Sequence, residues 1–221
     1  MKNKWFGDIH DFRKYGLLCF LAQFYKEISI DWMLTDHILN TKDGNKTQFA
    51  DSNRQYYWAP KSSGEIQKRI WGYLHDFHAK QRERQVSCAS EIFDMFSCRN
   101  IKTLKTRNEI YSDKSHLIFF DADNGFVDRK VSSPIYISVS EINSAFDKGN
   151  DILLYQHRPR KTLKELIEEK CSILSNITKN RPLVFKAGSV VYFLLWHEDL
   201  DIRTAFKKAN FTDAYLSIVN W

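Results

Sequence analysis

Asp121-Ala122-Asp123-Asn124-Gly125 places two carboxylates and an amide side by side, ahead of a glycine that permits a tight turn. Such a set can orient a water, hold a metal ion or accept hydrogen bonds from a substrate. A plain polar turn with Asx caps has the same composition. A second polar cluster is Gln156-His157-Arg158-Pro159-Arg160. His157 can donate to a developing negative charge or act as an acid or base. Arg158 and Arg160, flanking a helix that starts near Thr162, favour an anion. The alternative is a basic helix-entry loop with an exposed histidine. A third stretch, Phe6-Gly7-Asp8-Ile9-His10-Asp11-Phe12-Arg13-Lys14-Tyr15-Gly16, is unusually polar and aromatic for a helix start. It reads either as a capped amphipathic helix with a solvated face or as one wall of a nucleic-acid site. In the second reading Arg13 and Lys14 face phosphate and Tyr15 stacks on a base.

Each of the first two clusters follows a compact apolar run. His116-Leu117-Ile118-Phe119-Phe120 precedes Asp121, and Asp151-Ile152-Leu153-Leu154-Tyr155 precedes Gln156. Runs of this kind read as central parallel strands, buried on both faces. Further strands are expected over 28–34, 190–196 and 215–219. Helices are expected over 8–28, 65–84, 90–98, 161–178 and 199–209. The alternation predicts an α/β fold with a mainly parallel central sheet flanked by helices and a more helical N-terminal half. The whole chain, 1–221, reads as a single domain, with a helical insertion around 35–110 that closes over the sheet. Ligands in open parallel sheets bind beyond the carboxyl ends of the strands, so both polar clusters are expected at one edge. Polar groups in that position contribute little to a core, and Asp121, Asp123 and Asn124 are expected to be replaceable without unfolding.

The chain has 221 residues, 43% of them hydrophobic, and carries a formal charge of +6 with a pI near 9.0. A basic excess favours a polyanionic partner, although it also serves solubility. Lys61, Lys68, Arg69, Lys80, Arg82 and Arg84 read as a solvated helical face. The four cysteines, Cys19, Cys88, Cys98 and Cys171, lack C-x-x-C spacing, and reduced thiols are expected. His75 and His78 share a helix face without a third ligand, so no metal and no cofactor are expected. G-x-G-x-x-G, P-loop and G-x-S-x-G patterns are absent, which removes support for dinucleotide binding, P-loop chemistry and a serine-hydrolase elbow. The N-terminal residues lack the pattern of a secretory signal. The longest apolar run is far shorter than the ~20 residues that span a bilayer. A cytoplasmic protein without a membrane or an obligate protein partner is expected.

The start, with Phe6-Gly7-Asp8 and Asp11-Phe12-Arg13-Lys14-Tyr15-Gly16-Leu17-Leu18, resembles a family of mostly uncharacterised bacterial and phage proteins. These share a strand ending like Phe119-Phe120-Asp121-Ala122-Asp123-Asn124-Gly125 and a later segment like Leu154-Tyr155-Gln156-His157-Arg158-Pro159-Arg160. The layout is similar to the uracil-DNA glycosylase superfamily, including glycosylases that excise modified bases from phage DNA as a defence. That resemblance implies a hydrolase that flips a base out of DNA and cuts its N-glycosidic bond. Asp121, Asp123 or Asn124 would handle water, and His157 would face the leaving base. Arg13, Lys14, Tyr15, Arg158 and Arg160 would contact the nucleic acid. The usual proline of the superfamily's first motif is missing here, and the motif stands later in the chain. A second resemblance is to an adenine N6 methyltransferase of ribosomal RNA, which uses S-adenosylmethionine. In this chain Asp121-Ala122-Asp123-Asn124 stands where that family has Asp-Pro-Pro-Tyr. A metal-dependent nuclease and a non-enzymatic DNA-binding module are the remaining alternatives.

Overall fold

The computed structural model describes residues 6–35, 47, 64–104, 116–129, 135–157, 161–198 and 200–219. Helix α1 (Ile9–Leu21) comes first, followed by β1 (Ile28–Asp31), α2 (Glu65–Ala79), α3 (Ala89–Met95) and β2 (Ile101–Thr103). Strand β3 (Leu117–Phe120) leads into two short strands, β4 (Phe126–Val127) and β5 (Ile137–Ser138), and helix α4 (Val139–Asp147). The chain continues with β6 (Asp151–His157), α5 (Leu163–Thr178), β7 (Leu183–Ala187), β8 (Val190–Leu195), α6 (Ile202–Ala209) and β9 (Ser217–Val219).

The central sheet has seven strands in the order β2-β1-β3-β6-β8-β7-β9, and β4 pairs with β5 in a separate ladder. From β2 to β6 all neighbours are parallel. Beyond β6 the pairing turns antiparallel. The fold is therefore α/β, with helices on both faces of a mainly parallel sheet. All of Leu117–Phe120 is buried, and its alternation divides the core. Leu117 and Phe119 pack with α1, α2, α3 and α6, whereas Ile118 and Phe120 pack with α4 and α5. Apolar side chains on both faces of one strand stabilise only a strand covered on both faces.

Three local features differ from the sequence-based expectation. The strand at 190, expected to come next after the helix at 161–178, is instead entered by a hairpin from β7, because Ala187 pairs directly with Val190 across Gly188 and Ser189. A loop that short can only reverse the chain. Helix α4 was not expected, although Ser138 and Glu141 form a reciprocal capping box, and the S-x-x-E spacing is its sequence signature. Part of the segment expected as an insertion belongs to the sheet itself, since β2 pairs with β1.

Strand β1 lies between β2 and β3, and the chain leaves β1 toward one edge and β3 toward the other. The carboxyl ends of β1 and β3 therefore meet at a topological switch point, the usual crevice for a ligand in doubly wound sheets. No helix among the described residues is long and apolar enough to cross a membrane.

Candidate functional site

Helix α1 seats a cluster of charges under the β1–β3 switch point. Asp8 is its N-cap and accepts from the backbone N–H groups of His10 at 2.8 Å and Asp11 at 3.0 Å. Asp11 accepts from the Tyr15 hydroxyl and the Gly7 N–H, each at 3.0 Å. The Lys14 ammonium lies 2.9 Å from Asp11 Oδ1 and 2.8 Å from Asp121 Oδ2. It also lies 5.6 Å from the Trp32 ring centre and 5.7 Å from that of Tyr155. Every residue of α1 except His10 is buried, so the helix has no solvated face.

Burial sets the electrostatics of this cluster. It pushes the Asp8 carboxyl up to about 7, helped by the neighbouring Asp11. Burial likewise raises Asp121, against the opposing pull of Lys14. For Lys14 burial acts to remove the charge, but Asp11 and Asp121 outweigh it and hold the ammonium well above the ordinary lysine range. Tyr192, fully buried and in the field of Lys14 and Asp121, has a hydroxyl without a hydrogen-bond partner among the described residues.

Arg13, Lys14 and Tyr15 thus differ from the expected nucleic-acid wall. Arg13 donates to the carbonyls of Ala187 at 3.4 Å and Ala214 at 3.0 Å. Lys14 is enclosed between carboxylates, and Tyr15 is fully buried against Phe6, Trp32 and Phe93. The polar groups of α1 look into the protein because the sheet covers one side of the helix and α2 and α3 the other.

The four residues expected to do chemistry divide among three surroundings. Asp121 points into the α1 cluster, and its 2% exposure removes it from the group of dispensable strand-end side chains. Asp123 is half-buried, with the Thr35 hydroxyl bonded to its carboxylate. Asn124 and His157 are exposed and line one cleft of about 270 Å³ together with Tyr136, Lys161 and Lys170. The His157 ring centre lies 6.2 Å from that of His10. Arg158 and Arg160 lie outside the described residues.

Gln156 builds the cleft wall, a role sequence reasoning missed. Its Oε1 accepts from Phe126 N at 3.1 Å, and its Nε2 donates to the carbonyls of Asn124 at 3.1 Å and His157 at 2.9 Å. One buried amide therefore joins the turn after β3 to the end of β6. Gly125 makes room for it: φ is +84°, and a Cβ there would stand 2.2 Å from Gln156 Oε1. Lys170 was also missed, although its position shows a signal: it falls on the apolar stripe of α5 that contains Leu166, Ile167 and Leu174.

His78 holds the Gly7 carbonyl at 2.7 Å, and His75 stacks on Trp71 at 4.9 Å. Among the described residues no group of three His, Cys, Asp or Glu converges as a metal site. All four cysteines are free thiols. A scan of the chain against models of protein families finds no match, and a search of curated proteins finds none.

Proposed function

We propose that the protein is a DNA N-glycosylase that removes a modified base, in defence against phage. The observation that carries this reading is that Asn124 and His157, from the ends of separate strands, line one cleft. A flipped base leaves the stack and enters such a pocket, where its edges can be read by hydrogen bonds. Asn124 bonds the base. His157 donates to it as the glycosidic bond breaks, and Lys161 at the rim favours the negative charge that builds on the leaving group. The sugar gains positive character at the same time. Asp121 is engaged by Lys14, so stabilising that charge and orienting water fall to Asp123, with Thr35 fixing its carboxylate. The net charge of +6 supports a polyanionic substrate. Incubation with several modified phage DNAs, followed by alkali cleavage and mass spectrometry for a free base, tests the reading. The expected result is a free base with an abasic site in the same strand.

The β1–β3 switch point favours a second reading, an S-adenosylmethionine-dependent adenine N6 methyltransferase. In that reading the crevice beyond Asp31 and Asp121 takes the cofactor and the Asp123-Asn124 turn meets the base. Transfer of labelled methyl groups to nucleic acid, without abasic sites, would replace the glycosylase reading with this one.

A further inference from the structure

Two lysines are buried among the described residues, and their surroundings are opposite. Lys14 sits between two carboxylates that hold its charge. Lys170 has only 10% of its side chain exposed, against 51% for Lys161, just ahead of α5, and 84% for Lys164 in its first turn. Its Nζ donates to the Phe126 carbonyl at 3.0 Å and lies 4.6 Å from the Phe126 ring centre. Among the described residues the carboxylate closest to it, Glu169, stands at 3.9 Å and is itself bonded to Lys161.

We propose that Lys170 is an amine nucleophile of the Asn124–His157 cleft, condensing with the C1′ aldehyde of an abasic deoxyribose and cutting the strand by β-elimination. The substrate class rests on the glycosylase reading above.

The placement follows from one turn. Gln156 fixes Phe126 through its N–H, and the Phe126 carbonyl in turn orients Lys170. The same amide holds the Asn124 carbonyl. Amine and base-binding amide are thus positioned by one buried side chain. Burial lowers the affinity of Lys170 for its proton, and Lys161 lowers it further. Glu169 and Asp128 act in the opposite direction without cancelling the effect. His157 faces the same cleft. A desolvated lysine without a tight carboxylate partner is the form in which an amine attacks a carbonyl near neutral pH.

The neutral Nζ adds to C1′ of the ring-opened sugar, and the carbinolamine loses water to give an iminium. A base removes a proton from C2′, and the C3′–O bond breaks, releasing the downstream strand with a 5′-phosphate and leaving a 2′,3′-unsaturated sugar as the iminium on the upstream strand. Water then hydrolyses the imine and restores the amine. No oxidant or reductant is consumed.

The test uses a duplex with one preformed abasic site, so that base removal is not required. The full chain is incubated with it in sodium cyanoborohydride, which reduces an imine to a stable amine. A covalent protein–DNA band is expected, with the adduct mapping to Lys170 by peptide mass spectrometry. Lys170→Arg should abolish the band and the nick, and Lys164→Met, at an exposed side chain outside the cleft, should retain both. Absence of the band, an adduct on another lysine, or a band that persists in Lys170→Arg overturns the proposal. Mapping in the wild type decides the matter even if the variant fails to fold. Release of free base from modified DNA without trapping defeats this inference alone. Trapping without release from any modified DNA defeats the glycosylase reading alone.

Discussion

Lys14 and Asp121 meet at 2.8 Å with side chains only 4% and 3% exposed, joining the first helix to the end of a strand 107 residues later. A pair this deep is a poor source of net stability but a costly one to break, because the partner left behind keeps its charge out of water. Lys14→Met, which leaves Asp11 and Asp121 facing each other, should cost about 3–5 kcal/mol. Urea unfolding monitored by tryptophan fluorescence measures this. A loss below about 1 kcal/mol would mean that water reaches the cluster.

Acid stability should follow Asp8 and Asp121, both of which bind a proton more tightly when folded than when unfolded. Between the unfolded carboxylate range near 4 and about 7 for Asp8, the unfolded chain has released a proton that the native state keeps. The contribution of each group is therefore complete at low pH and declines as pH rises, by at most about 1.4 kcal/mol per pH unit per group. Asp8→Asn retains a capping oxygen for α1 and should flatten this slope while raising stability at pH 8. Unfolding curves at half-unit pH steps check the prediction. An unchanged slope would show that Asp8 is already ionised throughout.

Asn124→Ala and His157→Ala should separate function from folding. Both side chains are exposed, so unfolding midpoints should stay near the wild type. Base release should fall by about 10²-fold or more, the usual effect of losing a positioned group that acts in the transition state. Single-turnover assays on a cleaved substrate read this directly, and near-normal release in both variants would remove the cleft from the chemistry.

Gly125→Ala should damage the cleft through its support. The added methyl meets the Gln156 amide and also occupies a left-handed backbone position that alanine disfavours. If Gln156 is displaced, the Phe126 N–H is left without its acceptor, a cost of about 1–3 kcal/mol. Gly125→Ala and Gln156→Leu should therefore resemble each other in lowering both stability and turnover. Measuring them singly and together should show non-additivity, as expected for residues in contact.

The apolar runs at 117–120 and 151–155 make the central strands legible, and strand-end logic puts Asn124 and His157 at one sheet edge, where they line one cleft. The charged half of the site was harder to read. Arg13 and Lys14 look like a solvated face when α1 is considered alone, because the carbonyls and the Asp121 carboxylate that satisfy them come from distant parts of the chain. Periodicity reports which residues avoid water; it does not report which polar groups find partners inside. Gln156 was invisible for the same reason, since its function as a brace depends on Gly125 standing opposite. The antiparallel end of the sheet was missed because the apolar run 183–185 is short and Gly188-Ser189 was not recognised as a hairpin turn.

The clasp on α1 has a consequence for how the protein is made. Arg13 is held by the Ala214 carbonyl, and the Tyr215 hydroxyl bonds the Phe12 carbonyl at 2.6 Å. Gly16 lets that hydroxyl approach the helix, since a Cβ there would stand 2.0 Å from it. Helix α1 therefore cannot be fully seated until residues lying 201 and 203 positions further along have been made. It must wait, with Lys14 and its carboxylates still hydrated, until Ala214 and Tyr215 have emerged. Closing a loop of that length is slow relative to forming the local β7–β8 hairpin. Amide protons of α1 should in consequence exchange only when the whole molecule opens, and a nascent chain that stops short of Tyr215 lacks the contact that completes the fold.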